Sequence, residues 1–356
     1  MSLRDYLRVI APGQKDVRNL TRSESYRAFD AIMHQNAGDA TIAAFFVALR
    51  AKGVTVDELA GFASAARDHA TLACEGLPGL VCVCPPLCGT EHTPPLGVAS
   101  ALIATGAGAR VLLQTDRNVP PARGLTAVNV LEHLGAGVTW DPHEAEDWVD
   151  SCGFAAIAVS GMLPVLMNLR SVREGVFMRT ALSTVEKLVC PSSASVLVGA
   201  QSGPVLGVAV EVMQSLGHHR ACAIQGLEGG TTPSVRRRTR GIEISDEHLV
   251  SLVVEPEDFG LQMSKDPELP LFSPPMPGEG ASDNPSLVRA AGELNALVLA
   301  GEPGAERNAA LLGAALILKT AGRCMTLAEG VDAAMASLDS GAASAVLSKY
   351  RELQSL

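Results

Sequence analysis

The stretch Val81-Cys82-Val83-Cys84-Pro85-Pro86-Leu87-Cys88-Gly89-Thr90-Glu91-His92-Thr93 decides how this 356-residue chain is read. Its first four residues are an unbroken apolar run, the pattern of a strand buried on both faces. Pro85, Pro86 and Gly89 then force a turn. Leu96 to Thr105 carries helical spacing and Arg110 to Leu113 resumes a buried strand, so Val81 to Arg117 reads as a βαβ unit. Ligands of such sheets bind beyond the carboxyl ends of the strands, which puts Pro85 to Thr93 where an anion cradle would sit.

On the C-terminal side, short apolar runs at Phe154–Val159, Val196–Val198 and Ala221–Ile224 alternate with helical stretches such as Val128–Leu134 and Val205–Leu216. The alternation predicts a mostly parallel central sheet covered by helices, an α/β fold. On the N-terminal side, three or four amphipathic helices are expected and no strand. Ser2 with Asp5, Thr21 with Glu24 and Thr55 with Glu58 have the spacing of helix caps. Ile42, Phe45, Phe46 and Leu49 share one helical face, either core or a dimer seam. Leu163 to Val189 interrupts the alternation and reads as an excursion back to the helices. The expected division is a small helical domain over 1–75, joined by 163–190, and an α/β domain over 76–356. A basic, β-branched stretch from Arg236 to Val254, a Pro-rich loop from Pro267 to Pro277 and C-terminal helices complete the chain.

Aromatics are only 4% of residues against 47% apolar, so packing rests on Ala, Leu and Val, as in helix-rich α/β folds. The net charge of -10 opposes long-range attraction to nucleic acid and to anionic membranes. No run approaches the roughly 18 apolar residues of a membrane span. Arg4, Asp5, Arg8, Lys15 and Asp16 break up any signal-peptide pattern, and the expected compartment is the cytoplasm. Eight cysteines, several inside apolar strands, fit reduced, buried thiols. Cys82, Cys84, Cys88 and His92 are soft metal ligands, but Cys82 and Cys84 alternate with valines in the manner of buried side chains, and no metal site is expected.

The order of helical part, α/β part, Glu255-Pro256-Glu257-Asp258-Phe259-Gly260-Leu261 and helical tail resembles the anthranilate phosphoribosyltransferase family and its nucleoside-phosphorylase relatives. Leu20-Thr21-Arg22, Asp57-Glu58-Leu59-Ala60-Gly61 and Asp339-Ser340-Gly341 also look like that family. The resemblance implies a homodimer joined through the N-terminal helices. It also implies phosphoribosyl pyrophosphate with magnesium as ligand, and transfer of the ribosyl carbon to an acceptor as pyrophosphate leaves; the residues themselves require no cofactor. By resemblance, substrate-binding positions are Gly89, Thr90 and Thr93 in the loop, Asp116 and Arg117 after the second strand, and Arg173 and Arg179 in the excursion. Arg173 and Arg179 are read either as acceptor contacts or as partners of interface carboxylates such as Glu174 or Glu186.

Chemistry-bearing positions depart from the family. Its glycine-rich pyrophosphate loop falls on Pro85-Pro86-Leu87-Cys88-Gly89, and proline has no N–H to donate. Its magnesium carboxylates fall on Thr231 and Thr232. The expected function is therefore phosphoribosyltransferase-like with an altered pyrophosphate and magnesium site, and not authentic anthranilate phosphoribosylation; the sequence does not supply the acceptor. The other reading is a non-catalytic relative binding nucleic acid or a phosphorylated ligand. Arg236, Arg237, Arg238 and Arg240 are its candidate anion contacts, or else a solvated loop of an acidic protein.

Overall fold

Four helices open the chain in the computed structural model, which describes residues 1–13, 17–201, 203–245, 248–271 and 278–355. They are α1 (Leu3–Ile10), α2 (Arg22–Met33), α3 (Asp39–Lys52) and α4 (Val56–Asp68). The Thr21 and Thr55 hydroxyls accept the amides of Glu24 and Glu58, whose carboxylates reach back, so these two expected caps form; at Ser2 the Asp5 carboxylate reaches back to Ser2 N, but the Ser2 hydroxyl accepts no amide. Ile42, Phe45, Phe46 and Leu49 are buried within the single chain, where Phe45 and Phe46 meet Phe62 and Phe29. That face is core rather than a seam between copies. Beneath it the buried Glu58 carboxylate takes Lys52 Nζ at 2.8 Å and the amides of Leu20 and Thr55 at 2.9 Å each.

The central region runs β1 (Leu80–Cys84), α5 (Gly97–Gly106), β2 (Arg110–Thr115), α6 (Ala127–His133), α7 (Pro142–Cys152) and β3 (Phe154–Ala158). Four short helices follow, α8 (Val159–Met162), α9 (Val165–Asn168), α10 (Arg170–Val176) and α11 (Leu182–Val185). The sheet resumes with β4 (Ser195–Gly199), α12 (Gly203–Ser215), β5 (Ala221–Ile224), β6 (Thr239–Ser245) and β7 (His248–Val254). Helices α13 (Pro285–Leu299), α14 (Ala305–Thr320), α15 (Leu327–Asp339) and α16 (Ala342–Leu353) finish the chain.

The seven strands lie in the order β3-β2-β1-β4-β5-β6-β7. The first five are parallel and fully or almost fully buried, as their apolar runs require. The β-branched stretch after Arg236 instead folds as an antiparallel pair at the edge, half of it exposed. The excursion packs α10 on α3 and α11 on α4. Among the described residues no helix is long and apolar enough to cross a membrane. The part of the Pro-rich loop from 272 to 277 lies outside the described residues. The consequence for function is that β1, β2, β4 and β5 present their carboxyl ends, and the loops that follow them, along one edge.

Candidate functional site

At that edge the loop after β1 uses its polar groups on the protein itself. Gly89 stands at φ +75°, and an added Cβ would come within 2.5 Å of Gly124 and Leu125 backbone atoms, so it is there for close packing. Its N–H donates to Pro86 O at 3.0 Å. Thr90 and Leu125 exchange backbone hydrogen bonds of 2.9 and 2.8 Å. These contacts leave Glu91, His92 and Thr93 as the consecutive amides facing outward, and all three meet one carboxylate. Glu228 Oε2 accepts from Glu91 N at 2.9 Å, while Oε1 accepts from His92 N at 2.9 Å, Thr93 N at 2.6 Å and the Thr93 hydroxyl at 2.8 Å. The loop does cradle an anion, and the anion is a side chain of the same chain.

Three cavities border this contact, and a fourth lies apart from it. The pocket directly over the ends of β1 and β2, floored by Pro85, Pro86 and Thr115 and closed by Thr231 and Thr232, holds only about 40 Å³. That is room for a water molecule or so, not for a ribose or a pyrophosphate. A second cavity of about 1030 Å³ is lined by seven carboxylates, Glu91, Glu174 and Glu268 among them, and does not suit a polyanion. Leu227 and Glu228 separate it from a third, of about 630 Å³, where Arg237, Arg238 and Arg240 converge with Ser234. Arg238 is paired with Glu255 at 3.0 Å. A fourth, of about 410 Å³, opens between α3–α4 and the ends of β4 and α12, and is lined by Arg50, Arg179 and Lys187 with no carboxylate.

The sequence candidates are distributed unevenly over these places. Gly89, Thr90 and Thr93 reach the small pocket. Asp116 is buried and accepts from Arg117 N at 2.8 Å, Ser160 N at 3.0 Å and Arg170 at 2.7 Å, a junction between β2 and the excursion. The Arg117 guanidinium pairs with Glu132. Arg173 is buried, bidentate on Glu186 and 3.2 Å from Ser183 Oγ. Arg179 lies in the cationic cleft. Three of the four clustered arginines share one cavity; Arg236 is not among its lining residues. Cys82 and Cys84 are buried beside Cys190, and burial holds the Cys84 and Cys88 thiols protonated above the usual range.

Sequence reasoning did not single out Glu228, Arg50 or Arg170 as site residues. The available signal was the glycine context of Gly226-Leu227-Glu228-Gly229-Gly230, which marks a turn where the backbone comes close to another segment. Glu228 itself sits at φ +48°.

Residues 4–70 match the helical bundle domain of a glycosyl transferase family, and residues 91–344 match the a/b domain of the same family. The chain belongs to the anthranilate phosphoribosyltransferase family. Family members that it resembles include the anthranilate phosphoribosyltransferases of Bacillus mycoides (strain KBAB4), 28% identical, and Bacillus anthracis (strain A0248), 27% identical. Each match covers 97% of this chain and 96% of the relative. Among solved structures, the enzyme of Thermus thermophilus superposes with a TM-score of 0.82 over the whole of both chains at 22% identity. The Saccharomyces cerevisiae enzyme in complex with PRPP and Mg gives a TM-score of 0.78 at 17% identity, covering 99% of this chain and 98% of its own.

Within the anthranilate phosphoribosyltransferase family, magnesium on this chain is a question of donors. Thr231 and Thr232 are buried hydroxyls without charge, and the nearby Glu228 carboxylate is filled with backbone N–H donors. Asp266 likewise accepts from Ser234 and from the Val235 and Arg236 amides. Among the described residues the one group of three metal-type ligands is Asp30, His34 and His69, on α2 and at the ends of α2 and α4, none of which lines these cavities. The residues over the strand ends therefore do not fit a resident magnesium ion.

Proposed function

We propose that the chain is a phosphoribosyltransferase of the anthranilate phosphoribosyltransferase type, taking an anionic acceptor in the cleft between the N-terminal helices and the α/β part. The observation that carries this reading is the charge of that cleft, where Arg50, Arg179 and Lys187 meet and no carboxylate lines the wall. Guanidinium and ammonium groups beside the Ser183 and Thr184 hydroxyls suit a carboxylate. Lys187 donates to Gly199 O at 2.8 Å, and burial lowers its pKa, so an incoming anion would restore the balance of charge there.

On this reading the donor is a phosphorylated sugar held at the strand ends, the general position of ligands in parallel α/β sheets. As the leaving group departs, negative charge builds on it, and Arg237, Arg238 and Arg240, in the cavity that Glu228 borders, are cations that could answer it. The same reading divides the chain into 1–75 with 163–190 and 76–356, and pairs two copies through the N-terminal helices, which sedimentation measures. The decisive experiment supplies phosphoribosyl pyrophosphate with a panel of aromatic carboxylates and follows pyrophosphate release. Release that depends on the acceptor and falls at least tenfold in Arg179→Ala supports the activity; no release across the panel sinks it.

A further inference from the structure

We propose that Glu228 is an internal occupant of the donor site's anion cradle, and that a phosphate-bearing ligand binds this loop only by displacing the Glu228 carboxylate. The proposal rests on the transferase reading for the identity of the site, and on geometry for the occupant. Three consecutive amides converge on the two carboxylate oxygens at 2.6 to 2.9 Å, and the Thr93 hydroxyl adds a fourth donor. Among the described residues no cation pairs with Glu228. The negative charge is therefore held by backbone dipoles and one hydroxyl, as a bound phosphate oxygen pair would be.

The neighbouring amides do not offer a second seat. Gly89 and Thr90 donate to Pro86 and Leu125, and Pro85 and Pro86 have no N–H. A ligand oxygen therefore competes with Glu228 for the same three donors. The displaced carboxylate has somewhere to go, because Glu228 also borders the cavity of Arg237, Arg238 and Arg240. Its backbone does not have to move with it. The flanking glycines are close-packed: a Cβ at Gly199 would overlap the Gly229 and Gly230 main chain, and one at Gly229 would overlap the Gln201 side chain. The switch is a side-chain rotation.

The test is titration calorimetry with inorganic pyrophosphate, without metal, on the intact chain and on Glu228→Gly and Glu228→Gln. Glycine accepts the left-handed backbone at this position, and glutamine keeps the shape while removing the charge. Glu228→Gly is expected to bind at least tenfold more tightly than the wild-type chain, with Glu228→Gln between the two. The amide resonances of Glu91, His92 and Thr93 are expected to shift on binding. Equal or weaker binding by both variants overturns the proposal, as does tighter binding whose shifts fall at Arg237 and Arg240 instead of at those amides. Acceptor-dependent transfer without a gain at Glu228 would sink the displacement alone; a gain at Glu228 without transfer would sink the activity alone.

Discussion

Glu228 reaches from the loop after β5 to the loop after β1, and its Oε1 lies 2.6 Å from the Thr93 amide nitrogen and 2.8 Å from the Thr93 hydroxyl. This contact fastens two loops over the strand ends, so it stabilises the fold while it fills the cradle. Glu228→Gly should cost about 1–3 kcal/mol, the range for losing hydrogen bonds to a charged group, moderated because the Glu91 and His92 amides are exposed enough for water to replace it. Pyrophosphate at about 100 times its dissociation constant should return roughly 2.7 kcal/mol to the variant. Urea denaturation with and without the anion reads both numbers.

Gly89→Ala should destabilise by about 2–4 kcal/mol, from a left-handed backbone and overlap with a neighbouring main chain that has little room to yield. A thermal scan checks this. A variant as stable as wild type would mean that the Thr90–Leu125 bridge is not rigid.

Arg173 and Arg179 should separate cleanly. Arg173→Ala leaves Glu186 buried and unpaired and should cost about 3–5 kcal/mol, whereas Arg173→Met with Glu186→Leu should recover most of that loss. Arg179→Ala, in the open cleft, should leave the denaturation midpoint almost unchanged while raising the acceptor concentration needed for half-maximal transfer at least tenfold. Midpoints and acceptor titrations on the same preparations distinguish a structural arginine from a binding one.

Acid should loosen the N-terminal helices through Glu24. Its hydrogen bonds from Arg18 and from the Thr21 amide hold the carboxyl at about 2, against an ordinary 4.5. A folded-state value below the unfolded one contributes stability above about pH 4.5, and that contribution is lost as pH falls toward 2. The melting temperature of the wild-type chain should therefore drop more steeply across this window than that of Glu24→Gln, which starts lower at neutral pH. Parallel slopes would show that Arg18 and Glu24 contribute nothing measurable, as exposed pairs sometimes do.

The chain by itself determined its elements. Thr21, Thr55 and Thr326 each announce a helix because a cap and its glutamate lie three residues apart. The five buried strands announce themselves because a strand covered on both faces must be apolar throughout. Pro85 and Pro86 also told half of the site's story, since a missing N–H is a property of one residue. Only the tertiary structure decided which charge answers which donor. Glu228 stands 135 residues from Thr93, and Arg173 could have met Glu174, Glu186 or a ligand. Capping and periodicity are short-range and survive in the sequence as spacing. Pairing between loops depends on the strand order that brings β5 near β1, and on the few tenths of an ångström that let three amides meet one carboxylate.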